Sequence, residues 1–475
     1  MTAIRFGTSG WRAIVADEFT FANVRRAVGG IARYVRRNHP AGNAAILVGR
    51  DPRFLGEQFV AAAAAVLRAY GLNPIVVPEP APTPAISLAV RSTGAAGAIN
   101  FTASHNPPEY NGIKFSTPNG APALPEVTHA IEAEIAAHEN ANAPAPPAVE
   151  ASGIPAALDV RQPYLQRIAE LVDLPVIRRA GLRVAFDPLW GAARGYPDAL
   201  LREHGIAVQT VHDQRDVLFG GHAPEPDDHL LDALRRSMRA MQAHIGIATD
   251  GDADRFGIVD ADGTFIQPNY IIALLFDYLV ETRNWRNGVA KSVATTNLIN
   301  ALARHHGVEL HETPVGFKYV GELIERDAVA IGGEESAGLS IRYHVPEKDG
   351  IVAGLLCCEM VARRGQSISA QLRTVFGKVG SFYPLRENFR LTPEVKHKFT
   401  AKMDEVSSGR PLPHFFGRAV CEVVRTDGLK LLFDDGSWVC YRLSGTEPVV
   451  RVYSEARTPE GLRQLSADAK RWIFE

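Results

Sequence analysis

Three times along 475 residues the same order of elements recurs: apolar strand-like runs alternate with helix-like segments, and the last strand leads straight into a short polar loop. That order is the tightest constraint on the fold, because strands joined through helices run parallel and carry those helices on the faces of their sheet. The first set comprises strand-like Ala45–Gly49, helix-like Gln58–Tyr70, strand-like Pro74–Val77, helix-like Pro84–Arg91 and strand-like Gly97–Phe101. The second comprises strand-like Leu182–Phe186, helix-like Pro197–His204, strand-like Ile206–Val211, helix-like His229–Met241 and strand-like Ile245–Ala248. The third is expected to open near Phe256 with a hairpin around Asp260–Gly263. It continues through helix-like Tyr270–Val280, strand-like Ala290–Thr295, helices at Ile299–His305 and Phe317–Arg326, and strand-like Ala328–Ile331. The residues repeat only loosely, so the repeat is one of plan.

An Ala/Pro-rich stretch centred on Ala143–Pro147 reads as a stiff connector after the first set. Beyond helix-like Ile351–Arg363 and a variable stretch to Pro384, short alternating runs follow at Ala419–Val424 and Leu429–Phe433. An Asp434-Asp435-Gly436 turn and an amphipathic Gly461–Phe474 helix complete this part. The expected fold class is α/β. Three related mixed-sheet α/β domains span 1–145, 155–255 and 256–370, and a smaller α+β domain spans 380–475. Chain length agrees, at roughly 100 to 200 residues per domain.

Lys and Arg total 51 against 53 Asp and Glu, a net charge of −2. Such balance excludes nucleic-acid or membrane binding by bulk electrostatics, so any preference for anions has to be local. Cys357 and Cys358 read as buried thiols in an apolar helix, and no Cys-x-x-Cys spacing occurs among the four cysteines. The N-terminus has no apolar leader-like run, and Ile271–Val280 is short and interrupted by Asp277, so a soluble cytoplasmic protein is expected. Asn100-Phe101-Thr102 matches a glycosylation sequon, but within a strand run this is coincidence.

Four polar loops carry the chemistry. In Thr102-Ala103-Ser104-His105-Asn106-Pro107, prolines and the later Asn111-Gly112 keep Ser104 on a loop at a strand's carboxyl end, the edge where α/β sheets collect ligands. A Ser-His hydrolase dyad is disfavoured, because neighbours on an extended loop point opposite ways. Asp250-Gly251-Asp252-Ala253-Asp254-Arg255 places carboxylates at i, i+2 and i+4, suited to one hard cation. It is not an EF-hand, since Arg255 stands at the sixth position and Ala261 at the twelfth, where glycine and a bidentate glutamate are needed. Gly333-Glu334-Glu335-Ser336 follows the third set's closing strand. Arg442-Leu443-Ser444-Gly445-Thr446 with Arg451 offers guanidiniums, hydroxyls and glycine backbone for a phosphate. Near the N-terminus, Phe6-Gly7-Thr8-Ser9-Gly10-Trp11-Arg12 reads as a turn that brings one more guanidinium towards phosphate.

Together, in this order, the four loops resemble those of the α-D-phosphohexomutases, over essentially the whole chain: a phosphoserine loop, a metal loop, a sugar loop and a phosphate loop. The resemblance implies four domains around a central cleft and transfer of a phosphoryl group between Ser104 and a hexose phosphate, through a 1,6-bisphosphate intermediate. One Mg²⁺ would be held by Asp250, Asp252, Asp254 and Ser104, with glucose 1,6-bisphosphate as activator. Ser104, Lys114, Arg12, His105, Arg255 and Lys348 would form the catalytic group. Lys114 and Lys348 are the candidates for proton transfer, and a base role needs a lowered lysine pKa. Substrate would be bound by Glu334, Ser336, His344, Lys318, Arg442, Ser444, Gly445, Thr446 and Arg451. Gly-Glu-Glu-Ser followed by His344-x-x-Glu-Lys348-Asp-Gly looks most like the glucomutase branch. Ala337-Gly338-Leu339 replaces the Gly-His continuation of many bacterial phosphomannomutases, and Glu335 stands where phosphoglucosamine mutases often carry Gln. Mannose or glucosamine phosphates are the alternative substrates; a phosphoserine phosphatase and a non-catalytic sugar-phosphate sensor are the readings from other classes. The only partner implied is a small-molecule hexose phosphate, with no nucleic acid and no membrane, on a monomer or homodimer.

Overall fold

A computed structural model of the chain describes residues 4–7, 10–39, 44–140, 155–444 and 448–475. The Ala143–Pro147 connector expected from composition lies outside the described residues, as do Gly445 and Thr446.

The repeat of plan is a repeat of topology. In the first sheet, Ala98–Phe101 runs parallel to Ala45–Arg50 and antiparallel to Tyr110–Ser116. In the second, Ile245–Thr249 runs parallel to Arg183–Asp187 and antiparallel to Phe256–Asp260. In the third, Ile331–Glu334 runs parallel to Val289–Ser292 and antiparallel to Gly338–Ile341. Each of these sheets thus contains a hairpin whose connection leaves the carboxyl end of a buried inner strand. Residues 102–109, 250–255 and 335–337 are those three connections.

Four expectations on boundaries need correcting. Phe256–Asp260 and Phe265–Ile266 extend the second sheet, because the hairpin closes back on Ile245–Thr249, so the third unit begins with the helix Pro268–Arg283. Ala156–Ala157 pairs with Ile75–Val76 and so belongs to the first sheet. Ile368–Val379, in the variable stretch expected to run past the third domain's end at 370, is a helix capped by Ser367 that packs on the helices Pro268–Arg283 and Leu298–His306, so the third unit runs to about residue 379. The third closing strand lies further on than Ala328–Ile331: Gly332, Gly333 and Glu334 are in it, and only 335–337 turn. The fourth unit is a six-stranded antiparallel sheet with Tyr383–Arg390 at its start, backed by helices Pro393–Ser407 and Pro459–Phe474.

One apolar core runs through the first three units, joining Leu47 and Ile86 of the first to Ile168, Phe186 and Ile247 of the second and Leu274, Ile351 and Leu355 of the third. The helix Gly350–Arg364 lies at its centre, with its start pressed against the metal loop. A Cβ at Gly350 would stand 2.2 Å from the Arg255 carbonyl oxygen, so only glycine fits there. The fourth unit has its own core around Phe399, Leu431, Tyr441 and Ile473, and meets the third through a small cluster of Ala294, Trp438, Cys440 and Tyr453. Cys357 and Cys358 are buried free thiols, whereas Cys421 is exposed. No helix among the described residues is long and apolar enough to cross a membrane.

Candidate active site

The Ser104 and aspartate loops meet face to face. Ser104 Oγ donates to Asp250 Oδ2 at 2.6 Å, and a Cβ on Gly251 would lie 2.5 Å from the Ser104 carbonyl oxygen, so glycine lets the two backbones approach. Each of the three connections carries a residue in the left-handed region that is not glycine: Ser104 at φ 52°, Ala253 at 60° and Ala337 at 70°. Such conformations cost about 1–3 kcal/mol each and persist where the surroundings enforce them. At Ser104 the consequence is chemical. The turn brings His105 round, so that its Nδ1 lies 3.3 Å from Ser104 Oγ, contrary to the expectation that neighbours here point apart.

Carboxylate atoms of Asp250, Asp252 and Asp254 lie within 4.8 Å of one another. All three groups are essentially inaccessible to water, yet Asp252 Oδ1 and Asp254 Oδ1 have no hydrogen-bond partner. Buried carboxylate oxygens left orphaned beside a serine hydroxyl are the donor set of a hard divalent cation, so the residues present fit Mg²⁺. Without it, burial and then the charges of Asp254 and Asp252 push the Asp250 carboxyl well above its ordinary range. Burial acts the same way on Asp254, but Lys114, Lys348 and Arg255 outweigh it and hold that carboxyl well below.

Lys114 Nζ donates to Asp252 Oδ2 and Asp254 Oδ2, both at 2.6 Å, and Lys348 Nζ lies 2.9 Å from Asp254 Oδ2. Burial alone would lower both ammonium groups, yet Asp252 and Asp254 push Lys114, and Asp254 and Glu347 push Lys348, above the ordinary lysine value. In this arrangement the carboxylates favour the charged form of both lysines, the opposite of the lowered pKa that a base role needs. His105 moves the other way, held well below the usual imidazole value by burial and the charges of Arg255 and Arg12, and is therefore neutral near pH 7. Arg12 Nη1 donates to Asn106 Oδ1 at 2.7 Å, and Arg255 Nη1 reaches Glu225 Oε1 at 3.4 Å.

Glu334, on the third closing strand, accepts from the Gly316 N–H at 2.7 Å; burial, then the neighbouring Glu335 charge, pushes its carboxyl up to about 7. Ser336 stands half-buried in the turn, lining with Glu335, Arg255 and Arg386 a cavity of about 400 Å³ that joins the second, third and fourth units. Lys318 is half-buried, its ammonium 5.5 Å from the Tyr319 ring, two residues beyond Gly316. His344 is not in this group. Its ring is wholly enclosed, with Nε2 2.7 Å from Asp349 Oδ2. Asp349 in turn caps the Gly350–Arg364 helix through the Ile351 and Val352 N–H groups and accepts from the Tyr164 hydroxyl at 2.7 Å. Nε2 is thus engaged by the helix-capping carboxylate, a contact that its position in the motif did not reveal, while the buried Nδ1 has no hydrogen-bond partner among the described residues.

In the fourth unit, Arg442 and Arg451 stand opposite each other on adjacent strands, so both guanidiniums rise from one face. Ser444 is buried, its N–H bonded to the Val449 carbonyl oxygen at 2.9 Å. Asp427 Oδ2 accepts both Arg442 Nη2 at 2.7 Å and the Val315 N–H at 2.9 Å. Since the next N–H, that of Gly316, binds Glu334, the sugar loop and the phosphate loop share one polar chain.

The sequence reading missed Thr83, whose hydroxyl donates to Asp252 Oδ2 at 2.5 Å and whose N–H donates to the Asp252 carbonyl oxygen at 2.9 Å. It also missed Asp51 and Arg53 beneath the Ser104 loop. The available signals were Thr83-Pro84 at a helix start and charged residues directly after the strand Ala45–Arg50. Asn100, the formal sequon, is buried and bonded to Thr83. A larger cavity of about 640 Å³, lined by Arg161, Arg194 and Tyr196, contains none of the four loops. Convergent charge marks the site better than volume does.

Comparison with known proteins agrees with this geometry. Family models for phosphoglucomutase/phosphomannomutase match alpha/beta/alpha domain I at residues 3–142, domain II at 162–263, domain III at 267–379 and the C-terminal domain at 393–471. A Thermococcus kodakarensis protein named phosphoglucomutase/phosphomannomutase is 32% identical, over 97% of this chain and 96% of its own length. A Pyrococcus abyssi protein named as a phosphoglucosamine mutase is 30% identical, over 98% of this chain and 97% of its own. The crystal structure of a Thermus thermophilus protein named as a phosphomannomutase superposes with a TM-score of 0.84 at 32% identity, covering 100% of both chains.

Proposed function

The chain belongs to the phosphoglucomutase/phosphomannomutase family, and from that premise we propose that it interconverts the 1- and 6-phosphates of an α-D-hexose, glucose first, by way of phosphorylated Ser104. Members of this family are mutases, isomerases that move a phosphoryl group within the substrate. What carries the assignment of roles is the 2.6 Å contact of Ser104 Oγ with Asp250, at the point where Lys114, Arg12 and Arg255 also converge.

In the first half-reaction a sugar hydroxyl attacks the phosphorus on Ser104, and the bond between phosphorus and Ser104 Oγ breaks. One proton moves net from the sugar hydroxyl to Ser104 Oγ: the protonated Lys114 and Lys348 stand beside the transferring group as donors, and the neutral His105 imidazole, 3.3 Å from Oγ, is placed to take the serine proton in the reverse step, when Ser104 is the nucleophile. Their positive charge, with that of Arg12 and Arg255, opposes the charge gathering on the transferring group. Mg²⁺ held by Asp250, Asp252 and Asp254 with Ser104 would supply further positive charge at that place. The bisphosphate then turns end for end, and Ser104 Oγ takes the other phosphoryl group in the reverse of the first step. Arg442, Arg451 and Ser444 hold whichever phosphate is not reacting, while Glu334 and Ser336 hold the sugar.

Glucose and mannose differ only at C2, and a site that grips other hydroxyls rejects neither strongly. The test is purified protein with glucose 1-phosphate, Mg²⁺ and a trace of glucose 1,6-bisphosphate, following glucose 6-phosphate against free phosphate, with mannose and glucosamine 1-phosphates in parallel. Glucose 6-phosphate as the main product supports the proposal. Free phosphate as the main product would make the chain a phosphatase, and faster turnover of either competing sugar would reassign the substrate.

A further inference from the structure

Arg53 is 1% exposed, is not part of the transfer chemistry above, and spends every donor it has on the loop that bears Ser104 and on Asp51 beneath it. Nη2 donates to the carbonyl oxygens of Ser104 at 2.7 Å and Asn106 at 2.6 Å. Nη1 donates to those of Pro107 at 2.8 Å and Tyr110 at 2.9 Å, and Nε to Asp51 Oδ2 at 3.1 Å. A guanidinium has five N–H donors in a rigid fork, and here all five are used. Its face lies 4.9 Å from the Phe219 ring of the second unit, which fixes the plane of the fork from the far side of the domain junction. Asp51, wholly buried, works on the other end of the same residue. Its Oδ2 accepts the Thr102 hydroxyl at 2.7 Å, and Thr102 Oγ1 accepts the Ser104 N–H at 2.8 Å.

Ser104 is therefore held by its N–H through Thr102 and Asp51, and by its C=O through Arg53. With both peptide groups pinned, the left-handed φ of 52° is enforced, and it is this turn that points Oγ at Asp250 and brings His105 alongside. We propose that Asp51 and Arg53 are positioning residues for the nucleophile: they set the Ser104 loop in the one conformation from which phosphoryl transfer proceeds. The inference rests on the reading of Ser104 as the phosphoryl carrier. Neither side chain makes a contact with the described phosphate loop residues of the fourth unit, so the effect should fall on transfer and spare sugar-phosphate affinity.

The measurement is the rate at which the protein, freed of phosphate, acquires a phosphoryl group from glucose 1,6-bisphosphate with Mg²⁺, read by intact mass, alongside steady-state kcat and KM. Arg53→Lys keeps the charge but has three donors for five acceptors. It is expected to slow uptake and kcat by roughly 10²-fold while KM stays within about threefold, the size of effect that an ångström of misplacement produces. Thr102→Val keeps the shape, removes only the hydroxyl between Asp51 and the Ser104 N–H, and should slow uptake by roughly tenfold with the fold intact by circular dichroism. It decides the matter if Arg53→Lys fails to fold. Wild-type uptake in a folded Arg53→Lys or Thr102→Val protein overturns the proposal, as does a loss confined to KM. Ser104→Ala separates this from the parent reading: if that variant still acquires the phosphoryl group, the carrier is another residue and the proposed mechanism fails first.

Discussion

Ser104, Lys114 and the three aspartates are each at most 7% exposed, whereas Ser336, Lys318 and Arg451 stand half-open to solvent at the other end of the cleft. The first group is welded together by bonds that run between the first two units and rests on the apolar core that the first three share. The second group spans the third and fourth units, which are joined by polar contacts as well as by the small cluster around Trp438. Lys430 Nζ donates to the Val293 carbonyl oxygen at 2.8 Å, and Glu455 accepts from the Asn297 N–H at 2.9 Å; Asp427 bridges Arg442 and Val315. The difference follows from the two tasks. Transfer requires charge fixed in place before the substrate arrives, because reorganisation during reaction raises the barrier. Recognition of one substrate in two opposite orientations, as proposed above, would ask that end to adapt. The helix Ile368–Val379 is packed on the third unit, and Gly380–Phe382 joins it to the fourth, with Phe382 buried in the core that the first three units share.

If the two ends divide the labour in this way, Ser104→Ala should abolish turnover, by on the order of 10⁴-fold or more, and leave sugar-phosphate affinity nearly unchanged in calorimetry. Weakened binding of comparable size would merge the two ends. Asp252→Asn should cost on the order of 10²-fold in kcat and weaken Mg²⁺ affinity. EDTA should silence the wild type reversibly, and full activity after exhaustive chelation would leave the aspartates without a catalytic part. Arg442→Ala is the counterpart. KM should rise roughly tenfold or more, kcat should fall less, and the bisphosphate should escape more often before its second transfer. A variant with wild-type kcat and KM would remove the fourth unit from the site.

The smallest effect is with pH. Glu334 has its carboxyl raised to about 7, so it is charged at pH 8 and protonated at pH 6, where it can no longer accept from a sugar hydroxyl as a carboxylate. KM for the sugar phosphate should rise severalfold from pH 8 to pH 6, and Glu334→Gln should flatten that rise. An unchanged pH profile in Glu334→Gln would show that the titration belongs to the substrate's own phosphate.

How much of this could be read from the residues divides along the same line. Carboxylates at alternate positions after an apolar strand announce a cation site by themselves, and the run of strands and helices announces three related units, because both patterns depend on neighbours in sequence. The boundary at Phe256 was misplaced because a hairpin's sequence does not say which sheet its first strand extends. His344 looked like a ligand because a polar ring in a polar motif gives no sign of the capping carboxylate that encloses it. Arg53 and Thr83 were passed over since their partners lie 51 and 169 residues away, and only the fold brings them together. The left-handed turn at Ser104 was hidden as well, serine being an uncommon residue there.

The central claim, that Ser104 carries the phosphoryl group between sugar positions, is tested most directly by phosphorylating the protein with glucose 1,6-bisphosphate, locating the adduct by peptide mass mapping, and then adding glucose 1-phosphate. One phosphoryl group on the peptide containing Ser104, discharged onto the sugar to re-form the bisphosphate, is the predicted result. An adduct on another residue, or one lost to water at the same rate with and without the sugar phosphate, would contradict it.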